Sequence, residues 1–165
     1  VLPNNGNVIM TANQVRELVD AELEVIPTKS IPEGIAAMMG YDPEASAQDN
    51  VKAMTSAAER VKTGEVTFAV RDSTYNGVEI SERDFIGISG GELRVAGKTC
   101  NEVVRNLVSE MVEEGDELIT LFYGEDVSEG DASKLAELLA EDHPTYEVEV
   151  QYGGQPLYYY IVMIE

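Results

Sequence analysis

Leu118-Ile119-Thr120-Leu121-Phe122-Tyr123-Gly124-Glu125-Asp126-Val127-Ser128 decides the fold class. Leu118–Tyr123 is a continuous apolar run of strand length, as expected of a strand covered on both faces. Ser128, with Asp131 three residues on, makes a capping-box-like helix start, and Leu135, Leu138 and Leu139 are that helix's inward side. Strand, short loop and helix in this order make an α/β unit. Outward from it, Tyr146–Tyr152 alternates, with Glu147, Glu149 and Gln151 on one face. Gly153-Gly154-Gln155-Pro156 turns the chain, and Leu157–Ile164 reads as a final buried, interior strand.

Upstream, Thr99 caps a helix over Cys100–Glu113 that buries Val103 or Val104, Leu107, Val108 and Met111. Asp84–Ser89 and Leu93–Ala96 form a hairpin around Gly90-Gly91. Asn76-Gly77 is a further turn signal, and Glu65–Arg71 a strand. The first part is helical. Val8–Val19 carries Ile9, Ala12, Val15 or Arg16 and Val19 at helical spacing. Leu23–Ile26 is a short strand stopped by Pro27. Ile31–Met39 is a short helix with Pro32 in its first turn, and Asp42-Pro43 breaks it. A helix over Ala47–Lys62 buries Val51, Met54, Ala58 and Val61 and is closed by Gly64. The chain therefore reads as α/β with two small subdomains: residues 1–63, the helix-rich remainder of a first α/β subdomain, and residues 64–165, a mixed sheet with two helices. Val1-Leu2-Pro3 reads as the end of a strand whose beginning is missing, so the chain is read as a fragment of a longer protein.

The formal net charge is −20. Residues 101–165 hold 16 Asp+Glu against two Lys+Arg, so the charge is concentrated in the last third. Such a field repels phosphate, nucleic acid and anionic lipid, and attracts a basic protein surface. An apolar content of 44% belongs to a globular chain, not a disordered acidic tail. No apolar run reaches the roughly 18 residues of a membrane helix, and the first residues lack the basic head and apolar stretch of a signal peptide. One cysteine, Cys100, excludes an internal disulfide and points to a reducing, cytoplasmic setting. With one histidine, His143, it also excludes the usual Cys/His zinc cages.

Neither G-x-x-x-x-G-K-[ST] nor G-x-G-x-x-G occurs. The loop Tyr123–Ser128 sits where α/β folds bind ligands. It carries Glu125 and Asp126, followed by Glu129 and Asp131 in the first helical turn, and these carboxylates oppose a bound phosphate. Capping and the helix dipole account for Glu129 and Asp131; Glu125 and Asp126 lie outside the helix. Their spacing does not fit a calcium loop. Cys100 has no partner base nearby and reads as a quiet, half-buried thiol, and His143 reads as a helix-end cap. Tyr158 and Tyr160 share one strand face and Tyr159 the other, packing in the core with hydroxyls at the rim. No catalytic residue and no metal site are expected.

Five stretches together carry a resemblance: Val1–Asn5, Pro27–Ala37, Val61–Asp72, Leu118–Val127 and Gly153–Tyr160. In this order the chain resembles the C-terminal region of the bacterial YloV/FakA family, the kinase subunit of fatty acid kinase, also described as dihydroxyacetone kinase-like or DAK phosphatase-like. The resemblance implies a DegV-like fold of two α/β subdomains, the first truncated at its N-terminus. It implies that ATP and magnesium belong to an N-terminal domain outside this chain, so that the chain alone is no enzyme. It also implies a partner, the DegV-type fatty-acid-binding subunit, docked basic surface to acidic surface. Under that expectation Glu125, Asp126, Glu129 and Asp131 are the partner-binding residues. The DegV relatives hold a lipid carboxylate with short Ser/Thr-rich loops; this chain offers Pro27–Ser30 and Gly153–Pro156 instead. The alternatives are a DegV-like domain that binds a fatty acid or small lipid itself, and a phosphatase-like enzyme domain.

Overall fold

The computed structural model describes residues 1–75 and 77–165 and divides into two compact units, Val1–Val61 and Lys62–Glu165. Capping chemistry sets the helices of the first unit. Ile9–Leu18 is α1, Ile31–Met39 is α2 and Ala47–Glu59 is α3. The Ser30 hydroxyl accepts from the Glu33 amide at 3.2 Å, while the Glu33 carboxylate accepts from the Lys29 amide at 2.6 Å. Ser46 and Asp49 start α3 in the same manner. Ile26, Ala37, Met54 and Ala58 form a small core against Leu2 and Val51. Buried Asn50 holds the Asp42-Pro43 break, accepting from the Asp42 amide at 2.8 Å and donating to its carbonyl at 2.7 Å.

Three expectations in this unit need correction. Leu23–Ile26 is extended but belongs to no strand. It makes only a two-bond ladder, the Val1 amine donating to Glu24 O and the Ile26 amide to Val1 O. No residue of α1 is buried, because Ile9, Met10, Val15 and Leu18 point in different directions around the helix instead of forming one stripe. Finally, α3 ends at Glu59, and Gly64 is no helix cap: it lies inside a strand.

The second unit is built on a six-stranded mixed sheet. Its strands are Lys62–Phe68 (β1), Phe85–Ser89 (β4), Glu92–Gly97 (β5), Leu118–Tyr123 (β6), Glu147–Tyr152 (β7) and Tyr160–Ile164 (β8), with a separate hairpin of Ser73–Tyr75 (β2) and Val78–Ile80 (β3). Helices Cys100–Met111 (α4) and Glu129–Asp142 (α5) complete it. The sheet order is β5-β4-β1-β8-β6-β7. Only β6 and β7 run parallel, joined through α5, and the other pairs are antiparallel. Asn76 of the Asn76-Gly77 turn lies outside the described residues; Gly77 has φ of +81°. Gly90 and Gly91, at φ of +63° and +78°, make the tight β4–β5 turn that the right-handed twist of a hairpin favours.

The main core is one cluster. Val66, Ile119, Leu121, Tyr160, Val162 and Ile164 face Leu107, Val108 and Met111 of α4 and Leu135 and Leu139 of α5. Leu138, expected inward, is only half-buried, and Ala132 takes an inner place instead. Gly64 lets α4 approach the sheet: a Cβ there would lie 2.8 Å from Met111 Sδ and 2.9 Å from Leu107 Cδ2. β8 is interior and fully buried, but it begins at Tyr160 and not at Leu157. Leu157 is exposed, because residues 153–159 fold across the β6–α5 loop before the strand starts.

Candidate functional site

The β6–α5 loop is fastened by backbone bonds. The Gly124 amide donates to Tyr159 O at 2.9 Å and the Glu125 amide to Gln155 O at 3.2 Å. The Gly153 and Gly154 amides both donate to Tyr123 O, at 3.0 and 3.2 Å. Gln155 is buried, and its side-chain amide donates to Phe122 O at 2.8 Å. From β1, the Thr67 hydroxyl donates to Leu157 O at 2.8 Å. A Cβ on Gly124 would meet Gln155 O at 2.7 Å and run into Tyr158 O, so only glycine lets the two loops cross this closely. The result is a fixed platform at the end of β6.

Glu125, Asp126, Glu129 and Asp131 all lie on this platform or in the first turn of α5, and all are exposed. They are not equivalent. Asp131 is engaged: its carboxylate accepts from the Ser128 hydroxyl at 2.7 Å, its own amide donates back at 3.1 Å, and Lys134 Nζ lies 3.5 Å away. The Ser128 hydrogen bond, with help from Lys134, holds the Asp131 carboxyl below its ordinary value. Glu125, Asp126 and Glu129 have no ion-pair partner among the described residues. Beside Asp126 is a cleft lined by Phe68 and residues 155–159, with about 10 Å³ of space, enough for about one water molecule. Its rim is apolar: Phe68 and Leu157 are 37% and 66% exposed. Tyr159 braces it, edge-on to Phe68 at 6.4 Å and to Phe85 at 5.2 Å. The sequence holds no signal for Phe68 or Leu157, which are distant in the chain and meet only through the sheet.

A second, open groove of about 610 Å³ runs between α4 and the end of α5. It is polar, lined by Thr99, Arg105, Ser109, Asp142 and His143 among others. Here the fold brings Ser109 Oγ to 3.2 Å from His143 Nε2, a pair that sequence spacing does not reveal. It lacks the arrangement of an activated nucleophile. Ser109 donates its proton to Arg105 O at 2.9 Å, so its contact with His143 is one in which the ring nitrogen donates. Asp142 is spent on Arg105, in a two-pronged pair at 2.6 and 2.8 Å that holds its carboxyl below the ordinary value. His143 ends α5, its amide donating to Leu139 O at 2.8 Å. Cys100 is half-buried at the start of α4, and burial pushes its thiol up to about 12. Among the described residues no three His, Cys, Asp or Glu side chains are grouped to hold a metal ion, and no helix is long and apolar enough to cross a membrane.

In the first unit, the Pro27–Ser30 loop uses its hydroxyls internally. Buried Thr28 accepts from the Asn4 amide at 3.1 Å and donates to Asn4 Oδ1 at 2.8 Å, while Ser30 caps α2.

All of the chain, residues 1–165, matches a family model described as the FakA-like C-terminal region of fatty acid kinase. Protein YloV of Bacillus subtilis is 42% identical over all 165 residues, and an uncharacterized protein of Staphylococcus haemolyticus is 43% identical over the same span. The chain spans 30% of the length of each of these relatives. Among solved structures, a DegV family protein of Corynebacterium glutamicum aligns over 94% of this chain and 67% of its own, at a TM-score of 0.59 and 16% identity. A DegV family protein of Ruminococcus gnavus, whose structure is described with vaccenic acid, aligns over 95% and 65%, at 0.57 and 10%. The two units thus share the DegV fold, and the chain belongs to the FakA-like C-terminal family of fatty acid kinase.

Proposed function

We propose that this domain is a non-catalytic docking module of a fatty acid kinase. It binds the basic surface of a DegV-type fatty-acid-binding protein. It thereby holds the loaded protein near the domain that carries ATP and magnesium, raising its effective concentration there. The observation that supports this reading is the pairing of unneutralised carboxylates with apolar anchors on one fixed platform: Glu125, Asp126 and Glu129 beside exposed Phe68 and Leu157. Protein interfaces have this anatomy, an apolar centre ringed by charge. The cleft between the anchors is too small for an acyl chain, and the hydroxyls of Pro27–Ser30 and the amide of Gln155 are bonded within the chain. These points favour docking over direct lipid binding. The committed Ser109 proton and the Asp142–Arg105 pair weigh against a phosphatase.

The test is a titration, at rising salt, of the chain with a DegV-type fatty-acid-binding protein. Affinity falls as the screening length shrinks from about 10 Å at 0.1 M to about 3 Å at 1 M. One exposed charge pair contributes only about 0.2–1 kcal/mol, so the informative variant is the double reversal Glu125→Lys with Asp126→Lys. Binding weakens clearly in that variant with the circular dichroism unchanged. Parental affinity in the double variant places the docking face elsewhere, and a salt-independent affinity sinks the electrostatic reading itself.

A further inference from the structure

The sheet has two edges, and they are treated differently. β5 is blunted: its pairing with β4 shifts between Gly87 and Ile88, leaving Arg94 as an extra, exposed residue. Bulges and basic side chains are the usual devices against strand addition. β7 has neither. Its six residues pair with β6 in one unbroken parallel register, from Leu118↔Glu147 to Tyr123↔Tyr152. The Glu147 amide donates to Glu117 O and the Gly153 amide to Tyr123 O, so the odd-numbered residues of β7 face β6. The amides and carbonyls of Val148, Val150 and Tyr152 therefore point away from the sheet, and no backbone hydrogen bond among the described residues uses them.

The faces of β7 specify what fits beside it. Glu147 and Glu149 are exposed on one face, and Val148 and Val150 pack against the main core on the other. A strand added to this edge pairs its side chains with those of β7 across the ladder. The geometry points to an amphipathic extended segment of another protein, with basic residues at alternate positions facing Glu147 and Glu149 and apolar residues extending the core, as the occupant of the β7 edge. A second copy of this chain fits poorly. Antiparallel pairing of β7 with its own copy sets Glu149 against a like charge. The inference goes beyond the docking reading and does not depend on it, because it concerns backbone pairing on a different element from the β6–α5 platform.

A fluorescent peptide of alternating lysine and valine tests it on the whole chain, against a block isomer of the same composition with all lysines first. Charge attraction alone treats the two alike; strand addition does not. The alternating peptide binds at least about tenfold more tightly, as two cross-strand ion pairs of ordinary strength allow, and slows hydrogen exchange at the Val148, Val150 and Tyr152 amides. Methylating the peptide's backbone nitrogens on its pairing side abolishes the preference, which needs no variant of the chain. Glu147→Lys with Glu149→Lys transfers the preference to an alternating glutamate–valine peptide, a result that a misfolded variant does not give. Reversing Glu125 and Asp126 leaves the preference intact. Equal binding of the two lysine isomers, exchange protection away from β7, or a dimer protected at the same amides overturns the inference.

Discussion

Single residues in this domain show how far position alters chemistry. Cys100 stands at a helix N-terminus, where the dipole favours a thiolate. Burial against the core outweighs that pull and raises the thiol from its ordinary 9.0 to about 12. Two outcomes follow. Iodoacetamide at about pH 8 alkylates the native chain far more slowly than the urea-unfolded chain, whose thiol titrates near its ordinary value; equal rates mean that the thiol is exposed. The sign for stability is that of a group held protonated by folding. Its contribution is fully present below pH 9 and declines between pH 9 and about 12, as the unfolded chain alone releases the proton. Cys100→Ala flattens that part of a urea-midpoint profile; the same slope in the variant means that another group causes it. The carboxylates differ in the same way. Asp131 reads in the sequence as one of four docking acids, but its hydrogen bonds to Ser128 make it the most structural of them.

At the level of elements, the capping pairs and the apolar runs were legible, and strand boundaries were legible where a glycine turn or a cap fixed them. β6 has the limits that its sequence suggests, and Ser128 caps α5 as the Ser-x-x-Asp spacing implies. Gly64 misleads because a glycine after a helical pattern reads as a C-cap, while here it makes room for a neighbour. That role predicts a cost. Gly64→Ala drives a methyl into Met111 and Leu107 of α4 and destabilises the chain by about 1–3 kcal/mol. Met111→Ala alone is also costly, but it opens the space that the new methyl needs. In urea titrations the double variant loses less than the two single losses together, by more than about 0.5 kcal/mol. Strict additivity contradicts a direct clash. α1 teaches the converse: helical spacing of apolar residues does not create burial when they are scattered around the axis.

At the scale of the molecule, 31 acidic side chains face 11 basic ones. The ion pairs formed by Lys62, Lys98 and Arg105 each neutralise a neighbouring acid, yet the excess of acids over bases leaves most carboxylates without a cation to match them. Self-repulsion is therefore larger than pairwise attraction, and salt screens repulsion between exposed groups. The melting temperature rises by about 2–4 °C for each kcal/mol of repulsion relieved as sodium chloride goes from about 0.05 to about 0.5 M. A fall over that range means that the ion pairs dominate. The same field accounts for a docking surface that accepts basic partners and rejects phosphate-rich ones.

The amino-acid sequence by itself determined the α/β class, the caps of α2, α3, α4 and α5, the acidity of the last third, and, through five extended stretches, the family. These are properties of local pattern and composition, which act over a few residues or over the whole chain at once. The tertiary structure alone decided which distant residues meet. Phe68 and Leu157 flank Asp126, Ser109 reaches His143, β8 slots between β1 and β6, and β7 is left as the unblunted edge. Each of these depends on strand order and on backbone hydrogen bonds between segments far apart in the chain. Those pairings are set by the burial of a shared core, which no stretch of a few residues encodes.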